Sequence, residues 1–198
     1  PMGRVAFAVP EGTFKVRADF LGYQFWSPET HLTLDTNIDF AIPHQDAVIT
    51  LDNGTPEISE SLAGIQVYLF TPAGSYLGKK RVSDENGQAR FHLPRQPYKI
   101  RADFIGQRYW SEVFTGTDPT VTIPMADVEI TVTGGGFPAQ DQAVYGFSAS
   151  GAYLGIRQTT DSDGKVFLRL PQAEYQFRAD YQGNQYWSNA QWVTADQH

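Results

Sequence analysis

The stretch that decides the fold is FKVRADFLGYQFWS, residues 14–27, because two close variants of it follow in the same chain. They are YKIRADFIGQRYWS at 98–111 and YQFRADYQGNQYWS at 175–188. The three copies begin 84 and 77 residues apart. A unit that recurs at this spacing is a small domain copied in a row rather than part of one large core. The sequence therefore predicts a tandem repeat.

Matching segments outside the motif set the limits of each copy. AVITL at 47–51 corresponds to VEITV at 128–132, and the first copy has no counterpart of this opening strand. TVTIP at 120–124 corresponds to IDFAIP at 38–43, and the third copy has no counterpart of this closing strand. We therefore expect the C-terminal part of an incomplete β-sandwich repeat at 1–45, a complete repeat at 46–125 and a repeat lacking its last strand at 126–198.

Periodicity predicts an all-β fold. Short segments of alternating apolar and polar residues are separated by Gly, Pro, Asn and Asp, and no segment sustains a helical period. About seven such segments per full unit suit tandem immunoglobulin-like or transthyretin-like β-sandwich modules. In the second copy the predicted strands are 47–51, 65–71, 76–83, 88–93, 97–104, 107–112 and 120–123.

Two segments resemble a known family. SDENGQARFHLPRQPYKI at 83–100 and TDSDGKVFLRLPQAEYQF at 160–177 each contain a Ser/Thr-Asp turn ending in Gly, a strand, Leu-Pro and an aromatic strand. This order resembles carboxypeptidase-regulatory-like and Cna-B-like domains, which implies prealbumin-like sandwiches repeated in large bacterial surface or secreted proteins. Cna-B-like domains often carry a Lys–Asn isopeptide bond. Lys15 and Lys99 align with Gln176, so we do not expect that cross-link here.

Composition argues against several classes of function. The net charge is −7 without any Lys/Arg run, so we expect no nucleic-acid partner. No apolar stretch approaches the roughly 20 residues that span a bilayer, so we expect no membrane insertion. Cysteine is absent, and no nucleophile, phosphate-loop or metal-ligand motif occurs. We therefore expect no enzyme and no cofactor. The histidines occupy non-equivalent positions in the repeat: His31, His44, His92 and His198.

The motif itself predicts a hairpin with an inner apolar face and an outer polar face. If Leu21-Gly22 forms a two-residue turn, Arg17 pairs with Trp26 on the outer face and Ala18 pairs with Phe25 on the inner face. The same register places Ala102 in the core opposite Tyr109 and sets Asp103 opposite Arg108. In the first copy, the inner residues that we expect in the core are Phe14, Val16, Ala18 and Phe20.

The outer face of the hairpin is the candidate contact or ligand surface. A guanidinium over an indole contributes about 0.5–1 kcal/mol when exposed. Four interpretations remain open: Arg merely covers Trp on a half-buried sheet face, Trp closes the core at the sandwich edge, the face contacts a neighbouring module, or it binds a ligand. The residues of this surface are Arg17, Asp19, Trp26, Arg101, Asp103, Trp110, Arg178, Asp180 and Trp187.

Acidic turns offer one further candidate site. Asp84 and Asn86 in the second copy, and Asp161 and Asp163 in the third, supply oxygen atoms of the kind that calcium prefers. Asp followed by Gly is also the chemistry of a tight hairpin turn. The sequence leaves both a turn and a calcium site open and favours the turn.

Two functions fit a repeated, aromatic-rich sandwich. The first is a non-enzymatic segment of an extracellular stalk, adhesin or filament, with modules stacked end to end through short linkers. A longer parent chain, or strand addition from a neighbour, would then complete the terminal modules. Its partners would be neighbouring copies of the same repeat, on a bacterial surface or outside the cell. The alternative is a carbohydrate-binding module that stacks exposed Trp and Tyr on a glycan, with Trp192 as the first candidate.

Overall fold

The computed structural model describes residues 3–54, 62–116 and 118–194, and these ranges contain β-strands and no helix. The all-β prediction is confirmed. The first copy forms β1 (Gly12–Phe14), β2 (Arg17–Phe20), β3 (Tyr23–Trp26) and β4 (Thr30–Leu32). The second forms β5 (His44–Asp52), β6 (Gln66–Phe70), β7 (Tyr76–Val82), β8 (Gln88–Pro94), β9 (Lys99–Phe104), β10 (Gln107–Trp110) and β11 (Thr120–Thr122). The third forms β12 (Met125–Thr131), β13 (Thr133–Gly134), β14 (Phe137–Pro138), β15 (Ala143–Ser148), β16 (Tyr153–Thr159), β17 (Lys165–Pro171), β18 (Glu174–Tyr181), β19 (Asn184–Trp187) and β20 (Gln191–Trp192).

The second copy contains two sheets, and each strand predicted from its sequence overlaps an observed strand. One sheet has the order β10-β9-β6-β7, and the other has the order β11-β5-β8. β11 runs parallel to β5, whereas the other pairs are antiparallel. Only two residues separate β11 from β12, so the connection to the third copy is short, as predicted.

Alternate residues of the two sheets form the first core cluster. Period-two alternation turns one side of each strand inward, and burial of these apolar side chains drives folding. Tyr98, immediately before β9, and Ile100 and Ala102 on β9 are completely buried, which confirms the predicted inner face. The cluster consists of Ala47, Ile49, Leu51, Leu62, Ile65, Val67, Leu69, Ala89, Phe91, Leu93, Tyr98, Ile100, Ala102, Phe114, Val121, Ile123 and Met125.

The third copy repeats this arrangement with one difference. Its larger sheet has the order β16-β15-β18-β19, with β20 also on β18, and β12 pairs with β17. Within the described residues β12 has no partner on its other edge, where β11 lies in the second copy. The second core cluster consists of Ala126, Val144, Val166, Leu170, Ala173, Tyr175, Phe177 and Val193.

The first copy departs from prediction in two respects. Residues 38–43 form no strand, although they match the closing segment that contains β11. Phe20 is 38% exposed and so does not lie in a core. The other residues expected in the core, Phe14, Val16 and Ala18, are only half-buried and belong to neither core cluster. Both differences have one physical reason: a strand needs a hydrogen-bonding partner and a sheet face needs a cover, and this sequence carries no opening strands for the first copy.

Candidate contact surfaces

The three motif copies form hairpins of identical register. Arg17 faces Trp26, Arg101 faces Trp110 and Arg178 faces Trp187, as predicted. In each turn both residues have positive φ, for example 48° at Leu21 and 77° at Gly22. This type I′ geometry matches the twist of the flanking strands. It also forces a non-glycine residue, Leu, Ile or Gln, into the left-handed region, which disfavours β-branched residues most.

The serine that ends each motif stabilises the end of its hairpin through hydrogen bonds. The sequence did not predict this role. Ser111 Oγ accepts a hydrogen bond of 3.0 Å from the backbone N–H of Ile100 and donates one of 2.7 Å to the Glu112 carbonyl. Ser27 and Ser188 make the corresponding bonds in their own copies. The recurrence of Trp-Ser at one position was the available signal. Each hydroxyl satisfies a backbone donor that the ladder leaves free.

On the outer face, each arginine forms a forked ion pair with the aspartate two residues later. In the second copy Arg101 Nε lies 2.7 Å from Asp103 Oδ1, and Nη2 lies 2.8 Å from Oδ2. The corresponding Nε–Oδ1 distances are 3.0 Å from Arg17 to Asp19 and 2.9 Å from Arg178 to Asp180. Asp103 does lie opposite Arg108 in the register, as predicted, but its ion pair is with Arg101.

Aromatic rings enclose the arginine in the second and third copies. The guanidinium carbon of Arg101 lies 5.0 Å from the ring centroids of Tyr68 and Phe70 and 5.7 Å from that of Trp110. The same arrangement recurs around Arg178, with Tyr145, Phe147 and Trp187. Cation–π contacts of this type stabilise a partly desolvated arginine. Tyr68 and Phe70 lie more than thirty residues before Arg101, so the motif alone could not predict this enclosure.

The first copy lacks that enclosure. Arg17 contacts only the Trp26 ring among the described aromatic residues, at 5.8 Å, and its side chain is 45% exposed, against 18% for Arg101. Its chain segment contains no counterpart of β6, which carries two of the rings in the second copy. The outer face is therefore a half-buried aromatic cluster with an internally neutralised charge. Its role in contacts or ligand binding stays a prediction.

The tips of the first two hairpins make the contact between copies, which the sequence analysis missed. Leu21 packs against the first core cluster, and Ile105 packs against the second. A Cβ built on Gly22 would lie 3.3 Å from Leu77 Cδ2, and one built on Gly106 would lie 2.7 Å from Leu154 Cδ2. Each tip therefore rests on the copy that follows it. The available signal was an apolar residue in a hairpin turn, where polar residues usually stand.

Tyrosines extend the contact beside each tip. The Tyr23 ring lies edge-on to the Tyr98 ring at 5.6 Å, and the Tyr23 hydroxyl donates to the Pro97 carbonyl. Burial raises the pKa of Tyr98 and of Tyr175 far above the usual range, with smaller increases from the nearby Tyr23 and Tyr109 respectively. Burial also raises the pKa of Tyr109 to about 12. The Tyr23 and Tyr98 side chains thus form a partly desolvated pair that joins the first and second copies.

Among the described residues, none covers the third hairpin tip. Gln182 takes the place of Leu21 and Ile105, and a Cβ built on Gly183 would meet no atom within 4 Å. Tyr186 on β19 is 55% exposed, whereas its counterpart Tyr109 is half-buried. The sequences of the three hairpins differ little, so the burial of the first two tips comes from the copy that each of them contacts.

The acidic turns are closed by their own aspartates. Asp84 Oδ1 accepts hydrogen bonds of 2.9 Å from the backbone N–H groups of Asn86 and Gln88. Asp161 Oδ1 accepts equivalent bonds from Asp163 and Lys165. This is the turn that the sequence favoured. In the described ranges no group of three or more His, Asp or Glu side chains has the arrangement of a metal site.

A groove lies along the open edge of β12. It has a volume of about 570 Å³, and Trp192, which is 62% exposed, stands on its rim. Trp192 is the first candidate for stacking on a sugar, but one exposed indole beside an open strand edge does not by itself favour a glycan. The described residues include no apolar helix of bilayer-spanning length.

Comparison with known proteins yields distant structural similarity only. No protein-family model matches the chain, and no curated protein matches it. The Bacillus anthracis TIE protein is similar at 14% identity and a TM-score of 0.33, over 94% of this chain and 40% of that one. The minor pilin GBS52 of Streptococcus agalactiae is similar at 14% identity and 0.40, over 77% and 91%. The B1 repeat unit of the collagen-binding surface protein of Staphylococcus aureus is similar at 13% identity and 0.27, over 77% and 86%.

Proposed function

We propose that this chain is a non-enzymatic structural segment of an extracellular bacterial stalk, adhesin or filament, built from β-sandwich units at 46–125 and 126–198 and part of a unit at 1–45. The observation that carries the proposal is the packing of Leu21 and Ile105, the tips of two equivalent hairpins, against the core of the next copy. A contact that recurs in register between consecutive copies is what a stacked array requires.

Short connections support a stack of restricted geometry. β12 begins three residues after β11 ends, and β5 begins directly after Pro43, which corresponds to Pro124 in the second copy. A linker of this length cannot act as a flexible spacer. Together the short linker and the apolar tip hold neighbouring units at two separate points, which favours a semi-rigid array. Strand addition from a neighbour is the second element of the proposal.

Substitutions at the hairpin tips test whether consecutive copies stack. Ile105→Asp places a carboxylate against the second core cluster, while Gln182→Asp makes the same change of charge at the uncovered tip, and Asp tolerates the left-handed turn. We expect hydrogen exchange of β15 and β16 near Leu154 to become at least about tenfold faster in Ile105→Asp alone. Equal exchange in both variants, with both folded, would contradict stacking through the tips.

A parallel titration addresses the glycan alternative. The exposed indoles of Trp187 and Trp192 report on sugar stacking through their fluorescence. The structural proposal expects no saturable quenching by soluble polysaccharides. Saturable quenching that is lost in Trp192→Ala would favour the carbohydrate-binding function instead.

A further inference from the structure

The open edge of β12 has the properties of a site for an added strand. The groove is lined on one side by residues 127–131 of β12 and on the other by Phe177, Trp192 and Val193. It thus runs between the two sheets of the third copy, on the side of β12 away from β17. The lining mixes strand backbone with apolar side chains, the combination that β-strand addition uses.

The second copy shows what fills this place. There β11 lies parallel to β5, with Thr120 beside Thr50 and Val121 beside Leu51. Val121 and Ile123 are completely buried. The Thr50 N–H donates a bond of 3.0 Å to the Pro119 carbonyl. The short parallel strand β11 and the residue directly after it therefore close the edge and supply two core side chains.

The third copy lacks these contributions. Glu129 and Thr131 occupy the positions of Val48 and Thr50, in the same register with the neighbouring strand, so their N–H groups face the groove. Inward residues Val128 and Ile130 are only half-buried, although the equivalent Ala47 and Ile49 are fully buried. Within the part of the chain that the structure describes, the groove thus presents unpaired backbone donors beside an incompletely covered core.

Residues 38–43 of the chain have the sequence that the groove requires. Phe40 and Ile42 correspond to Val121 and Ile123, and Pro43 corresponds to Pro124. These residues form no strand, and Phe40 and Ile42 are half-buried. Pro43 is followed at once by β5, just as Pro124 is followed by β12. A chain that donated this segment would therefore place its own β5 where a next unit begins.

We propose that residues 38–43 of one chain add to β12 of a second copy as a parallel strand, with Phe40 and Ile42 entering the groove. The Asn37 side-chain oxygen then accepts from the Glu129 N–H, as Asp118 Oδ1 accepts from the Val48 N–H at 2.8 Å. The proposal rests on the proposed function, because it names the donated segment and the accepting edge for the strand addition proposed there. Stacking is tested at the Ile105 tip and strand addition at β12, so the failure of one is distinguishable from the failure of the other.

The test uses the full chain and a synthetic peptide of residues 35–44 as the probe. The control peptide carries Phe40→Asp and Ile42→Asp. We expect the native peptide, at concentrations up to about 1 mM, to slow hydrogen exchange at Glu129 and Thr131 at least about tenfold. The Trp192 fluorescence should shift with the same saturation. The control peptide should do neither, and the native peptide should suppress any self-association of the chain.

A variant of the edge that receives the strand distinguishes binding at β12 from binding of the peptide elsewhere. Thr131→Pro removes one groove-facing N–H at a strand edge, where proline is tolerated, and its fold is checked by circular dichroism. With this variant the peptide effect should be lost. Equal effects of both peptides would overturn the proposal, as would a lack of saturable protection. Strong protection of Glu129 and Thr131 in the chain alone at high dilution would also overturn it, because the chain would then fill its own groove.

Discussion

The second and third copies have almost the same strands but different cores at one edge. Ile49 on β5 is completely buried, while the equivalent Ile130 on β12 is half-buried. The sequences of the two strands do not explain the difference, because both alternate in the same way. β11 covers Ile49, and within the described residues no strand covers Ile130. The alternation of apolar and polar residues decides where strands form. The burial of their inward side chains depends on which neighbouring strands complete the sandwich.

The largest expected effect is that of shortening an inward isoleucine to alanine, once on β5 and once on the equivalent β12. Ile49→Ala removes a fully buried side chain and should lower the free energy of unfolding by about 2–5 kcal/mol. Ile130→Ala removes a side chain that water already reaches, so we expect a loss smaller by about 1 kcal/mol or more. Urea unfolding followed by hydrogen exchange of each copy measures both. Equal losses would show that the open edge of the third copy is covered in solution.

A larger side chain on the inner face of the hairpin gives a second comparison between the second and third copies. Ala102 is completely buried opposite Tyr109, whereas Ala179 is half-buried opposite the exposed Tyr186. Ala102→Leu should destabilise its copy by about 1–3 kcal/mol. Ala179→Leu should cost less, since Tyr186 can move outward. Thermal melting of the two variants provides the measurement, and an unchanged midpoint for Ala102→Leu would contradict the inner position.

A turn substitution should affect both copies alike. Asp84→Ala leaves the N–H groups of Asn86 and Gln88 without their shared acceptor and should cost about 1 kcal/mol. Asp161→Ala should cost the same in the third copy, because this turn lies away from the open edge. Asp84→Asn retains the acceptor oxygen and serves as the control. Calcium that stabilised the parent chain, and not Asp84→Ala, would indicate a calcium site and argue against this account of the turn.

The smallest expected effect concerns the Tyr109 hydroxyl. Its pKa is raised from 10 to about 12, so the folded chain keeps a proton that the unfolded chain loses. The stabilisation that this shift represents is complete below pH 10 and is lost as the pH rises from 10 towards 12. Tyr109→Phe should leave stability at pH 7 almost unchanged and make its alkaline decrease shallower. An unchanged alkaline profile would place Tyr109 in solvent.

The hairpins could be predicted from the sequence because every requirement is local. Alternation fixes the faces, and a two-residue turn ending in glycine fixes the register, so the pairing of Arg101 with Trp110 follows. The contact of Ile105 with the second core cluster could not be predicted in the same way. It depends on how consecutive copies pack, and the apolar residue in the turn indicates a contact without identifying the surface that it meets.

The outer face illustrates the same limit. The pairing of Arg with Trp was predictable, but Tyr68 and Phe70 reach Arg101 from β6, which the motif does not include. The strand predicted at the end of the first copy does not form, for a related reason. Residues 38–43 have the pattern of a strand, yet a strand edge forms only when a partner is beside it.

The central claim is that the Ile105 tip holds consecutive copies in one arrangement, and a distance measurement tests it most directly. The chain has no cysteine, so spin labels at Lys79→Cys and Gln158→Cys, both exposed, report on the second and third copies without background. Pulsed electron paramagnetic resonance should give one narrow distribution of the distance between the two labels. Ile105→Asp should broaden this distribution, and Gln182→Asp should not. A broad distribution in the parent chain, unchanged by Ile105→Asp, would contradict the account.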